Sequence, residues 1–357
     1  SEDTTRNATM TNTKRCCKDC QTVLGRSISV CSLWDKNDFA CDECKGQLCS
    51  TCYGKRPLII GKPDDEDGGN NDDPQAGTMK QYCKSCFEIA STIDFSKTYD
   101  TIEGGSSSDI VWVFSHGASG CRQLFAPQAK ELKKRYGHSS ILWDLPGHGS
   151  MVDTPLTLES SKETLTSVLK ENESWTQGKK LIYVGASLGA YIGYYLLEHM
   201  QDKFAGAVLM DAGQNVGPGA SFKAKMGLVV LKMIGCNFSN STMMQLMLGE
   251  MKKSKADYHL IDAVFGAGMF FEHTKSHVEC LKTVAPADHI PTFQFPILFI
   301  NGSEDYRDSE DKWLALCTKK DDSELKVYER GDHFFMHDSR FIDDLFTRMD
   351  GYSKTLW

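Results

Sequence analysis

A mainly parallel α/β sheet with helices on both faces, preceded by a small cysteine-rich module, is the fold class predicted by the 357-residue sequence. Three observations predict it. From about residue 95 onward, short apolar runs alternate with amphipathic segments, the pattern of strand–helix–strand units. Several of those runs are apolar throughout, which a strand requires when both faces of its sheet are covered. Ten of the 14 cysteines crowd between Cys16 and Cys86, ahead of the alternating region.

Taken in order, residues 1–15 are polar and read as disordered, and residues 16–90 form the cysteine-rich module. Within it the stretch PDDEDGGNNDDPQAG, residues 63–77, has almost nothing to bury and reads as an acidic loop inserted between cysteine pairs. The α/β domain spans 95–352. A weak strand lies around Lys97–Glu103. Clear strands follow at IVWVF (110–114), SILW (140–143), KLIYV (180–184), GAVLM (206–210), ILFI (297–300) and LKVY (325–328). Apolar residues at three- and four-residue steps predict helices through Phe125–Tyr136, Leu158–Leu169 and Phe341–Met349. Residues 212–290 break the alternation: they hold helix-like segments rich in Met, Phe and Leu, and read as a cap inserted above the strand ends.

Net charge is −8, which argues against nucleic-acid binding and against general adsorption to anionic membranes. The longest apolar run, Leu181–Leu197, is interrupted by three glycines and a serine and is too broken for a membrane span. The opening SEDTTRNATMTNTKR lacks a secretory-leader pattern. A soluble, cytoplasmic protein is expected.

The chemistry concentrates at strand ends. VGASLGAY (184–191) places Ser187 between a strand and a helix, with Gly185 and Gly189 small enough for the two to pass closely. A serine nucleophile needs a base, and His333 in GDHFFMHD follows the strand LKVY. The base needs an orienting acid, and Asp305 in NGSEDYRD follows ILFI. His337 is a less well placed base, and Glu304, Asp308 and Asp211 are rival acids. The N–H of Ala118, in SHGAS (115–119), and that of Leu188 supply an oxyanion site. His148 in LPGHG reads as a structural loop residue.

SHGAS, DLPGHGS, VGASLGAY, NGSEDYRD and GDHFF, in that order across roughly residues 95–350, resemble the α/β-hydrolase superfamily. The resemblance implies an eight-stranded, mostly parallel sheet with a helical cap after the sixth strand, shortened here at its N-terminal edge. A serine in the turn implies hydrolysis of an ester, thioester or lipid acyl bond through an acyl-enzyme, on a small acyl ester or lipid substrate, with no cofactor for the catalysis.

Four CxxC pairs, Cys17/Cys20, Cys41/Cys44, Cys49/Cys52 and Cys83/Cys86, have the spacing of zinc knuckles, and eight thiolates make two Cys₄ sites. Cys16 is an alternative to Cys17, and Cys31 reads as a buried thiol. The pattern CxxC…ACDECKGQLCSTC…YCKSCF resembles FYVE-type cross-brace fingers. That resemblance implies that Cys17, Cys20, Cys49 and Cys52 hold one structural Zn²⁺ and Cys41, Cys44, Cys83 and Cys86 the other. It also implies a position peripheral to endosomal membranes. The stretch equivalent to the basic phosphoinositide grip is DKNDFACDEC (35–44), which is acidic and repels an anionic headgroup, so phosphoinositide binding is the weaker expectation and a protein partner the stronger. The rival reading of the whole chain is a non-catalytic hydrolase-fold scaffold whose finger is the functional part.

Overall fold

The computed structural model describes residues 58–61, 78–81, 96–237, 270–271, 273–305 and 309–356. The expected disordered segment 1–15, the eight expected zinc ligands, the acidic insertion 63–77, Asp308 and cap residues 238–269 lie outside them. In the cysteine-rich region β1 (Leu58–Gly61) and β2 (Thr78–Gln81) pair antiparallel, with Leu58 opposite Gln81 and Gly61 opposite Thr78. This hairpin is not among the elements expected from the sequence; its two strands flank the acidic stretch.

The main sheet has seven strands: β3 (Tyr99–Ile102), β4 (Ile110–Ser115), β5 (Ser139–Trp143), β6 (Lys180–Ala186), β7 (Gly206–Met210), β8 (Ile297–Gly302) and β9 (Glu324–Tyr328). Their order is β3-β5-β4-β6-β7-β8-β9, and only β3 runs antiparallel to its neighbour. Where the superfamily resemblance implies eight strands, the described residues give seven, with β3 alone preceding β4.

Side chains that alternate along each strand feed two separate cores. Val111, Val113, Tyr183, Ala207, Leu209, Ile297 and Phe299 face one. Trp112, Phe114, Ile182, Val184, Val208, Leu298 and Ile300 face the other. Neither face is left to solvent, hence the unbroken apolar runs. The first core is closed by α2 (Leu158–Glu171) and α3 (Leu188–His199), through Leu165, Val168, Ile192 and Leu196. The second is closed by α1 (Ala126–Tyr136) and α7 (Ile342–Thr355), through Ala129, Leu132, Leu345, Phe346 and Met349. Local signals set the helix ends. Thr157 and Ser160 form a reciprocal capping box at the start of α2, and Gly137 ends α1 in the left-handed region at φ 70°.

Between β7 and β8 the described residues form no strand and include α4 (Phe222–Asn237), α5 (Thr274–Leu281) and a short helical turn at Pro286–His289. After β8 comes α6 (Glu310–Leu316). No helix among the described residues is long and apolar enough to cross a membrane.

Candidate active site

The turn between β6 and α3 presents Ser187. Its backbone sits at φ 50°, ψ −116°, a region that costs a non-glycine residue about 1–3 kcal/mol, and two hydrogen bonds hold it there: Ser187 N–H to the Met210 carbonyl at 2.8 Å, and Tyr191 N–H to the Ser187 carbonyl at 3.0 Å. The flanking glycines are required by space. A Cβ on Gly189 would stand 2.3 Å from the Ser115 carbonyl oxygen, and one on Gly185 would stand 2.7 Å from Ala190 backbone. The helix therefore starts against the end of β4, and its free N–H groups face the same edge of the sheet as the loop after β4.

The loops after β8 and β9 bring Asp305 and His333 together. His333 Nδ1 lies 3.0 Å from Asp305 Oδ2, with the Asp305 side chain 3% exposed and the imidazole 42% exposed. The imidazole is thus oriented from behind and open in front. Desolvation pulls its pKa down, but the charge and hydrogen bond of Asp305, helped by the charge of Asp332, outweigh it, and the net shift is upward. Asp211, the residue after β7, joins this pair: ligand atoms of Asp211, Asp305 and His333 all lie within 4.8 Å of one another. Since Ser187 N–H is bonded to Met210, one residue before Asp211, the elbow and the Asp–His pair share one rim of the sheet. Ser187 Oγ makes no hydrogen bond to His333.

The loop after β4 passes over the elbow, where a Cβ on Gly117 would lie 3.5 Å from the Ser187 Cβ. Gly120 N–H closes a turn onto the Gly117 carbonyl at 3.3 Å, with Ser119 at φ 62°. Among the described residues the N–H groups of Ala118 and Leu188 donate to no protein acceptor, which leaves both for an oxyanion.

Two buried histidines hold this loop. His116 Nδ1–H donates to the Gly117 carbonyl at 2.8 Å while its Nε2 accepts from Leu145 N–H at 3.1 Å. His148 Nδ1–H donates to the Pro146 carbonyl at 3.0 Å while its Nε2 accepts from Ser119 N–H at 3.1 Å. These roles assign each ring its neutral Nδ1–H tautomer. His277 of α5 stacks on His148 at 4.3 Å. Beneath them Asp144 accepts from Arg122, at the backbone (2.7 Å) and the guanidinium (2.6 Å), and from Ser150.

An acid sensitivity follows. Desolvation holds His116 at about 4, His277 at about 2 and His337 at about 3, and pushes His148 well below the usual range. Below pH 6.5 the unfolded chain takes up protons that the native state refuses, so their contribution is complete above 6.5 and is lost downward towards each folded pKa. Between pH 7 and 5.5 the loss is about 1 kcal/mol each for His116, His277 and His337, about 3–4 kcal/mol together, and His148 adds to it in the same direction. Asp211 and His333 work in the opposite sense: burial and the Asp305 charge raise the Asp211 pKa, Asp305 raises that of His333, and the stabilisation each gives is greatest in acid. Thermal melts should show Tm at pH 5.5 lower by several degrees than at pH 7; an unchanged Tm would contradict the four neutral histidines.

The structure therefore brings Asp305 and His333 into contact and Ser187, Ala118 and Leu188 to the same rim. His337 lies elsewhere, its Nδ1 3.1 Å from Gln128 Nε2. Glu304 is exposed and outside the cluster. The His148–His277 stack had no sequence signal, because it depends on the packing of a helix from the inserted segment.

A model of the alpha/beta hydrolase family matches residues 112–345. Solved structures similar to the chain include a thermophilic esterase from Thermogutta terrifontis, at 15% identity, TM-score 0.54, covering 72% of this chain and 93% of that one. MenH from S. aureus matches at 14% identity and TM-score 0.55, covering 73% and 99%. A lipase-esterase related protein from Clostridium acetobutylicum matches at 16% identity and TM-score 0.55, covering 72% and 100%. At these identities the likeness is one of fold. No match is found among curated proteins.

Proposed function

The chain belongs to the α/β-hydrolase family, and from that premise we propose that it is a serine hydrolase that cleaves an ester, thioester or lipid acyl bond through an acyl-enzyme. The observation that carries the reading is the His333–Asp305 pair, 3.0 Å apart with the imidazole open in front, on the rim that presents Ser187 in a strained turn.

In this reading Ser187 Oγ attacks the acyl carbonyl carbon and His333 Nε2 takes its proton. Asp305 accepts from Nδ1–H, fixing the tautomer and stabilising the imidazolium. The N–H groups of Ala118 and Leu188 hold the oxyanion. Collapse expels the alcohol or thiol with the proton returned by His333, and water then repeats the sequence to release the acid.

Labelling the full chain with a fluorophosphonate probe, beside Ser187→Ala, tests this. Labelling that the variant loses supports it; a folded wild type that does not label favours the scaffold reading. The pH profile is a second check. His333 must be neutral to act as base and its pKa is raised, so kcat/KM should climb to its plateau through a midpoint above pH 6.5. A midpoint below 6 would remove His333 as the base.

We also propose that the four CxxC pairs bind two structural Zn²⁺ ions, on the strength of their donor chemistry and spacing. Elemental analysis of protein purified without chelator should give two zinc per chain, and esterase activity should survive replacement of Cys17 and Cys20 by serine.

A further inference from the structure

Beyond the five residues of the reading above, one group at the rim has no assigned work. Asp211 is 3% exposed, and neither of its carboxyl oxygens has a hydrogen-bond partner. It is not there by accident of a loose loop. Its N–H donates to the Ile300 carbonyl at 3.1 Å, and its backbone stands at φ 52°, in the left-handed region. A residue so strained and so buried is over-determined by its surroundings.

The groups around it come from the ends of the two strands beyond β7 in the sheet. Asp305 follows β8, and His333 and Asp332 follow β9. Two residues on, Gly213 lies against Asn301 of β8 and Glu310 of α6. The charges acting on Asp211 are those of Asp305 and Asp332, both negative. Two carboxylates this close and this buried cannot both be anions. Asp305 has the His333 N–H to stabilise its charge; Asp211 has no donor. The proton therefore belongs on Asp211, which then becomes a donor itself, with Asp305 as the acceptor in reach.

We propose that Asp211 is a positioning residue that keeps a proton and donates it in a hydrogen bond to Asp305, locking that carboxylate in the orientation that faces His333. The catalytic significance rests on the serine-hydrolase reading; the shared proton does not. At alkaline pH Asp211 would ionise beside Asp305, the two anions would repel, and the Asp305–His333 alignment would loosen. Wild-type kcat/KM should therefore fall again at high pH.

Two variants separate the possibilities. Asp211→Asn keeps a donor towards Asp305 and cannot ionise: kcat should drop less than tenfold, KM should not move, and the alkaline limb should vanish. Asp211→Ala removes the donor and should lower kcat about a hundredfold, again at constant KM. An Asn variant that keeps the alkaline limb, or loses as much activity as the Ala variant, overturns the proposal; the latter would mean that Asp211 acts as an anion. The direct readout is the infrared difference spectrum of wild type minus Asp211→Asn at pH 7. It should contain the carbonyl stretch of a protonated carboxylic acid; carboxylate bands in its place, or a metal ion that the Asn variant loses, overturn the shared proton. That spectrum needs no turnover. The acid band in a protein that fails fluorophosphonate labelling would remove the hydrolase reading and leave the proton standing, and labelling without the band would do the reverse.

Discussion

Ser187→Ala is expected to lower kcat on an activated acyl ester by about 10⁶-fold and to change the free energy of unfolding by no more than about 0.5 kcal/mol. The two halves rest on different features. The rate effect follows from the proposed mechanism, in which Oγ is the atom that forms the acyl-enzyme and the base and acid left behind would have nothing to activate. The small stability effect follows because the turn is held by backbone bonds, Ser187 N–H to Met210 and Tyr191 N–H to Ser187, and by the space at Gly185 and Gly189. Alanine keeps all of these and the strain as well. Glycine would not: at φ 50° it relieves the strain, so Ser187→Gly should be more stable than wild type by about 1 kcal/mol and equally inactive. Denaturant midpoints and single-turnover assays on the three proteins check both halves. A Ser187→Ala protein within tenfold of wild-type kcat would exclude Ser187 as the nucleophile.

Asp305→Asn should cost about 10⁴-fold in kcat with the fold intact. The carboxylate accepts from His333 Nδ1 at 3.0 Å and so places the free lone pair on Nε2, towards the exposed side of the ring. An amide at this position can offer its N–H₂ to Nδ1 and hold the ring in the opposite tautomer. The charge matters separately. Desolvation pulls the His333 pKa down, and Asp305 is the main group that raises it, so its neutralisation should move the acid limb of kcat/KM to lower pH. A variant slowed only by disturbed packing would keep the wild-type limb, which makes the pH profile the deciding measurement.

Strand runs were legible in the sequence because a sheet covered on both faces leaves no polar alternation to confuse them. IVWVF, SILW, KLIYV, GAVLM, ILFI and LKVY each fall inside an observed strand, and the weak strand near Lys97–Glu103 is β3. The elbow was legible for a local reason, since two glycines with a serine between them at a strand–helix junction are a steric requirement written in adjacent residues. What escaped was non-local. The Arg122–Asp144 pair, buried with both side chains at 0% exposure, joins two loops across β4 and β5. The His116 and His148 tautomers depend on which backbone N–H each ring meets. Asp211 was read as one rival acid among several, because its lack of a donor and the nearness of Asp305 exist only once β7 and β8 are paired. The hairpin of β1 and β2 escaped because LIIG and TMKQ are short and separated by a strongly polar stretch.

The edge position of β9 has a consequence for how the protein is made. Among the described residues this strand pairs only with β8 and comes last of the sheet's strands in the chain, while His333 follows it and Phe346 and Met349 of α7 pack in the same core. A nascent chain can therefore build β4 through β8 and present the serine elbow well before the base exists. In the proposed mechanism hydrolytic competence therefore waits until β9 and the loop that carries His333 have been made and have docked. On that reading the growing chain is inert until then, and a chain cut short before His333 carries a strained serine with no base to activate it.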